Sequence, residues 1–134
     1  MIENKYIFDA LSALGVNGCQ LSGHPTKESE FLSMYSENTG VDSMNTMILS
    51  SDPKDFSVTW KQVSEKAKEI EDAEPLKQLR EERNAKLLET DWTQSPDSPL
   101  TDSQKTSWAT YRQSLRDITD SATSLDDVTW PTKP

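Results

Sequence analysis

The sequence predicts a mainly α protein. We expect a kinked long helix plus a C-terminal antiparallel helical hairpin, with a small mixed α/β part at the N-terminus. Three observations carry this. Thr59 with Gln62, and Thr101 with Gln104, each have the threonine-to-glutamine spacing of a capping box. Apolar residues recur every three to four positions after each cap. Pro75 interrupts the first of these runs.

The elements follow in order. Ile7, Leu11 and Leu14 with Gly15 beyond them predict a short amphipathic helix that stops at glycine. Glycines and Pro25 bracket a short strand expected at Cys19–Leu21. A second short helix is expected from Thr26, with Phe31, Leu32 and Tyr35 on one side. Residues 46–49, Thr-Met-Ile-Leu, fit a buried strand, although a run of this length does not separate strand from helix by periodicity. Val58 and Val63 flank the Thr59 cap as a hydrophobic staple, and Val63, Ala67 and Ile70 mark the inner face beyond it. Pro75 is expected to kink or end this helix and to stand at the first position of its continuation, whose inner face carries Leu76, Leu79 and Leu87. Residues 91–100 read as a loop containing Pro96 and Pro99. Trp108, Tyr111, Leu115 and Ile118 then form a helical stripe. The chain closes in a polar tail anchored by Leu125, Val128 and Trp130. The organisation divides into an acidic N-terminal region, 1–55, and a helical module, 59–134. Folding the hairpin about Ser95–Pro96 sets Leu76 opposite Leu115, Leu79 opposite Tyr111 or Arg112, and Arg83 opposite Trp108. Arg83 then either stacks on the Trp108 ring or points to solvent at the edge of the stripe.

Composition narrows the function classes. Hydrophobic residues make up 33% of the chain, the net charge is -9 and the mean hydropathy is -0.76. Residues 1–74 hold 6 basic and 13 acidic side chains, and residues 75–134 hold 8 and 10. Neither half offers the basic patch of a nucleic-acid-binding domain. One cysteine, Cys19, makes an internal disulfide impossible. The first residues, MIENKYIFDALSALG, lack the cationic and apolar segments of a secretory signal, and no apolar run is long enough to span a membrane. Cys19 and His24 are each unique. They read as a small buried thiol and a turn histidine rather than a nucleophile pair, and they cannot supply an ordinary four-ligand zinc site. The glycines match no phosphate-loop spacing. The expectation is therefore no enzyme activity, no catalytic residue, no metal and no cofactor. The tryptophans at 60, 92, 108 and 130 read as core anchors or as a partner-binding surface.

From Glu74 to Pro134 the chain resembles the tail assembly chaperone, or tail fibre assembly-like, proteins of bacteriophages. The resemblance rests on Arg80, Arg83 and Asn84 in "REERN", on Asp91 and Trp92 in "TDWTQ", on Pro99-Leu100-Thr101, on Trp108-Ala109, Tyr111-Arg112-Gln113 and Leu115-Arg116-Asp117, and on Trp130-Pro131. It implies a non-enzymatic helper that binds other tail, baseplate or tail-fibre proteins in the host cytoplasm, with no nucleic acid or membrane as partner. The alternative is a permanent structural component of the virion tail, baseplate or fibre attachment. Self-association into a homo-oligomer is left open. The residues expected to define the module or bind the partner are Arg80, Arg83, Asn84, Asp91, Trp92, Trp108, Tyr111, Arg112 and Trp130. Residues 1–55 carry no such pattern and are assigned to partner specificity.

Overall fold

The structure, a computed structural model, describes residues 1–134. Helical segments take 54% of the chain, beside one three-stranded antiparallel sheet. The order is α1 (Asn4–Ala13), β1 (Cys19–Leu21), α2 (Glu28–Met34), β2 (Tyr35–Val41), β3 (Met47–Ser50), α3 (Trp60–Glu89) and α4 (Asp102–Arg116). Short 3-10 turns occupy Pro53–Asp55, Asp91–Gln94 and Asp117–Asp120. The chain forms two compact units, Met1–Asp72 and Ala73–Pro134. Composition and capping place a sequence boundary at 55–59, whereas the chain divides between the compact units after Asp72, within α3. The reason is local: Val63 and Ala67 from the start of α3 are fully buried in the core of the first unit.

In the first unit α1 buries Tyr6, Ile7, Ala10 and Leu11. It ends in a Schellman motif: the Gly15 N–H donates to the Ser12 carbonyl at 3.0 Å and the Val16 N–H to the Leu11 carbonyl at 3.0 Å. Gly15 adopts φ 84°, the left-handed geometry that favours glycine there. The strand at Cys19–Leu21 forms as expected and pairs with β2. The helix expected from Thr26 begins at Glu28 instead. The Thr26 N–H and hydroxyl both donate to the Glu30 carboxylate, at 2.9 and 2.8 Å, so Thr26 braces the first turn from outside it. The expected grouping of Phe31, Leu32 and Tyr35 is only partly met. Phe31 and Tyr35 are buried, while Leu32 is exposed, because Tyr35 is already extended as the first residue of β2. Phe31 stacks on Tyr35 at 4.6 Å between ring centroids, Phe56 meets Tyr35 edge-on at 4.7 Å, and Trp60 lies 5.4 Å from Phe31. Residues 47–50 are a strand, but not a buried one. β3 is the outer strand of the sheet order β1-β2-β3, and its apolar side chains stay in solvent.

Glu37 is a buried carboxylate without a cation beside it. It is satisfied by the Tyr35 hydroxyl at 2.8 Å, by the Ser57 N–H at 3.0 Å and by the Ser57 hydroxyl. Burial, the hydrogen bond to Glu37 and its negative charge all push the Tyr35 phenol up. Burial, followed by the Glu37 charge, likewise raises the Cys19 thiol, which disfavours the thiolate that a nucleophile would need. His24 lies elsewhere in its hydrogen bonding, with Nε2 2.5 Å from the Ile2 carbonyl oxygen.

The capping box at Thr59 is formed. Thr59 Oγ1 accepts from the Gln62 N–H at 3.3 Å, and Gln62 Oε1 accepts from the Thr59 N–H at 2.9 Å. Both staple residues, Val58 and Val63, are buried. α3 then runs for 30 residues with Pro75 inside it, so the long helix expected from about Trp60 forms, and of the two outcomes expected at Pro75, kink or end, the helix does not end there. A proline inside a helix costs about 3 kcal/mol and removes one hydrogen bond. Here the ring is exposed, and ion pairs such as Lys68–Asp72 at 3.1 Å and Lys86–Glu82 at 3.0 Å continue along the helix on either side. Each such pair adds about 0.2–0.5 kcal/mol.

In the second unit Leu79, Tyr111, Leu115, Ile118 and Ala122 are buried, while Leu76, Leu87 and Trp108 are half-buried. The stretch read as loop from residue 91 opens with the 3-10 turn at Asp91–Gln94, which buries Thr93. The second capping box is complete: the Thr101 hydroxyl and the Gln104 side chain satisfy each other's backbone N–H. Of the expected tail anchors, Val128 and Trp130 are half-buried and Leu125 is exposed, while Ala122 is buried.

Candidate partner-binding site

The second unit is organised around Arg112. Position 112 falls on the face that also carries Trp108, Tyr111 and Leu115, so its guanidinium turns inward with them. The residue is 7% exposed. Nη1 donates to the Leu87 carbonyl at 2.7 Å and to the Thr90 hydroxyl at 2.7 Å. Nη2 donates to Asp91 Oδ1 at 2.8 Å. The Leu87 carbonyl lies in the last turn of α3, where helical carbonyls lack intrahelical donors. The Leu87 carbonyl also accepts from the Thr90 N–H at 3.1 Å, so the cation adds a charged donor there and meets the negative end of the helix dipole. Thr90, fully buried, donates its own hydroxyl back toward the Leu87 carbonyl at 3.0 Å. The Arg112 Nε is buried with no hydrogen-bond partner.

Beside this hub lies an aromatic file. Trp108 meets Tyr111 edge-on, with centroids 5.8 Å apart and planes at 85°. Trp92 meets Trp108 at 5.8 Å and 67°. Edge-to-face pairs of this kind contribute about 0.5–1.5 kcal/mol beyond their burial. Tyr111 is buried and Trp108 half-buried, yet Trp92 remains 51% exposed. The file therefore leads from the interior of the unit to an indole held open to solvent.

The tail is held by two cations. Lys86 Nζ sits 4.8 Å from the centre of the Trp130 ring, and Lys133 pairs with Glu89 at 3.2 Å. Between α4 and Trp130, Asp127 closes a tight turn by accepting from the Thr123 and Ser124 N–H groups, at 3.1 and 2.8 Å. Those two backbone bonds, Thr123 first, hold its carboxyl down to about 2.

Residues 76–134 match the family described as phage tail assembly chaperone protein. Over this segment the chain is similar to that family. Neither a curated protein nor a solved structure matches the chain. The matched segment begins one residue after Pro75 and contains every member of the Arg112 hub, the aromatic file and the tail clamp.

Of the residues singled out in the sequence, the structure brings together Asp91 with Arg112, and Trp92 with Trp108 and Tyr111. Trp130 is clamped by Lys86 rather than by another of the set. Arg80 and Asn84 are exposed on α3. Arg83 does not stack on Trp108. Its Nε donates to Asn84 Oδ1 at 3.1 Å, while Trp108 meets Trp92 and Tyr111. Thr90 and Lys86 belong to the architecture of the matched segment but were not expected. The signal for Thr90 was its place directly after the helix end and before Asp91. Lys86, one turn before Thr90, carries no mark that separates it from the other α3 lysines. No group of three or more His, Cys, Asp or Glu side chains is placed to hold a metal ion, and no helix is long and apolar enough to cross a membrane.

Proposed function

We propose that this chain is a non-enzymatic assembly factor that docks on other phage tail proteins in the host cytoplasm, using the exposed indole of Trp92 as its anchor. The carrying observation is that Trp92 is half exposed yet braced edge-on by Trp108. A braced aromatic loses little freedom on binding, and tryptophan dominates interface hot spots. In this reading residues 59–134 are the scaffold, with α3 bent at Pro75. The end of α3 and α4 form an antiparallel hairpin, for which the Arg112–Leu87 bond at 2.7 Å is the support. Arg80 and Asn84 flank the docking surface, and the acidic region 1–55 supplies partner choice.

The test is a tagged full-length chain recovered from cells making the phage tail proteins. A defined tail protein should co-purify at fixed stoichiometry. Trp92→Ala should weaken that complex by about 2 kcal/mol, roughly thirtyfold, while the free chain stays folded and loses only the about 0.5–1.5 kcal/mol of its contact with Trp108. An undiminished complex would remove Trp92 from the interface. Mass spectrometry of purified particles separates the helper from the permanent virion component: the helper is absent, and the component appears in constant copy number.

A further inference from the structure

The β2–β3 hairpin displays apolar residues that the rest of its unit leaves uncovered. Val41, Met44, Met47, Ile48 and Leu49 are between 40% and 81% exposed. β3 has a hydrogen-bonded neighbour on one side only, so its other edge carries unpaired backbone groups. Soluble proteins usually blunt such an edge with lysine, proline or a bulge on the edge strand itself. β3, Met-Ile-Leu-Ser, has no charge and no proline, and the irregularity at Asn38/Gly40 lies on β2. Ile48 stands opposite Gly40, where there is no side chain to cover it and open space around the glycine.

Charge says what fits there. Residues 28–55 hold six carboxylates against one cation, Lys54. Asp42 sits at the turn end of β3, its Oδ1 accepting from the Met44 and Thr46 N–H groups at 2.8 and 2.9 Å. Asp52 and Asp55 sit at the other end, with Asp55 accepting from the Ser50 hydroxyl at 2.6 Å. A second copy is a poor occupant. Antiparallel pairing about Ile48–Leu49 would bring the Asp42 end of one chain to the Asp52–Lys54–Asp55 end of the other, and net negative charge would meet at both ends. We propose that the free edge of β3 receives an extended strand of a partner protein, apolar at its centre and cationic at both ends, by strand addition. This deepens the assignment of partner choice to the N-terminal region, and it can fail separately from the role of Trp92.

The test uses the full chain labelled with nitrogen-15. The probe is a blocked peptide of alternating valine and threonine with two lysines at each end. Amide exchange at residues 46–50 should slow on addition of the peptide. A glutamate-flanked peptide should bind at least tenfold more weakly, and Ile48→Lys should abolish the effect while leaving the spectrum of α1 and α4 intact. Leu49→Lys, on the opposite face of the strand, should weaken it as well through like charge with the peptide. Trp92→Ala should leave it unchanged. Unslowed β3 amides at millimolar peptide, equal binding of the lysine and glutamate peptides, or a dimer in sedimentation that Ile48→Lys dissolves would each overturn the proposal.

Discussion

Residues 1–72 gather Phe31, Tyr35, Phe56 and Trp60 ring on ring, whereas residues 73–134 gather their loops around one buried guanidinium. The first arrangement is held by burial, which is non-directional and tolerates small shifts. The second is held by directed bonds to one carbonyl, one hydroxyl and one carboxylate. The difference shows how a chain with few apolar residues can still specify loop geometry. Where apolar area is short, a single arginine fixes three partners by its fork. It also places the exposed Trp92 directly after the residue that the fork grips, Asp91.

The largest expected effect lies in the ring cluster. Phe31 is fully buried, so Phe31→Ala should cost about 3–5 kcal/mol and speed amide exchange in α1 and α2. In the second unit, Arg112→Ala should cost about 3 kcal/mol, because the Thr90 hydroxyl and the Leu87 carbonyl lose a charged donor. Arg112→Lys should recover less than half of this, since an ammonium cannot reproduce the fork. Asp91→Asn should cost under about 1 kcal/mol, because the Asp91 side chain is 57% exposed and its half of the pair is screened by water. Chemical denaturation with exchange read residue by residue checks all four. If Asp91→Asn matched Arg112→Ala, the hub would be an ion pair and the contrast between the units would have to be redrawn.

Much of this fold is local and was legible for that reason. Both capping boxes, the Gly15 stop and the strand at Cys19–Leu21 depend on residues a few positions apart, and all are found. Pro75 left the choice between kink and end open because its cost is also local. The sequence shows the missing donor, but not that buried Val63, Ala67 and Leu79 hold the helix on both sides of it. Residues 46–49 misled because apolar character does not reveal which strand ends at the edge of a sheet. At the candidate site the membership of Asp91, Trp92, Trp108, Tyr111 and Arg112 was legible as a pattern, but the pairing was not. Arg83 and Arg112 both lie on apolar faces. Only the position of the α3 carbonyl terminus, a tertiary fact, decides that Arg112 is the buried one and Arg83 the neighbour of Asn84.

The two caps offer a finer comparison. Thr59→Ala and Thr101→Ala each remove a side-chain acceptor from an N3 amide, and each should cost about 0.5–2 kcal/mol. The Thr59 change should be the larger, because its staple, Val58 with Val63, is buried and fixes the entry of the chain. Urea midpoints of the two variants read this directly. Equal values would mean that the staple adds nothing once the box is made.

The smallest effect separates the units by pH. The phenol of Tyr35 is raised above its ordinary value of 10.0, chiefly by burial, so its contribution is present below that value and is lost as pH rises beyond it. Asp127 runs the other way. Its carboxylate accepts two backbone N–H groups and two hydroxyls, and its carboxyl is held down to about 2 from an ordinary 3.8. The folded turn therefore binds a proton less readily than the unfolded chain. Its contribution is present above about 3.8 and is lost as pH falls through about 2. Asp127 is fully exposed, so the change should be confined to residues 123–128 and should leave the melting of α4 nearly unaffected. Carbon-detected titration of the Asp127 carboxyl should give a midpoint near 2, with the Thr123 and Ser124 amide shifts moving together at the same midpoint. Asp127→Asn should remove that transition and leave the alkaline loss at Tyr35 in place. A midpoint near 4 would mean that the turn opens in solution and that the tail is held by Lys86 and Lys133 alone.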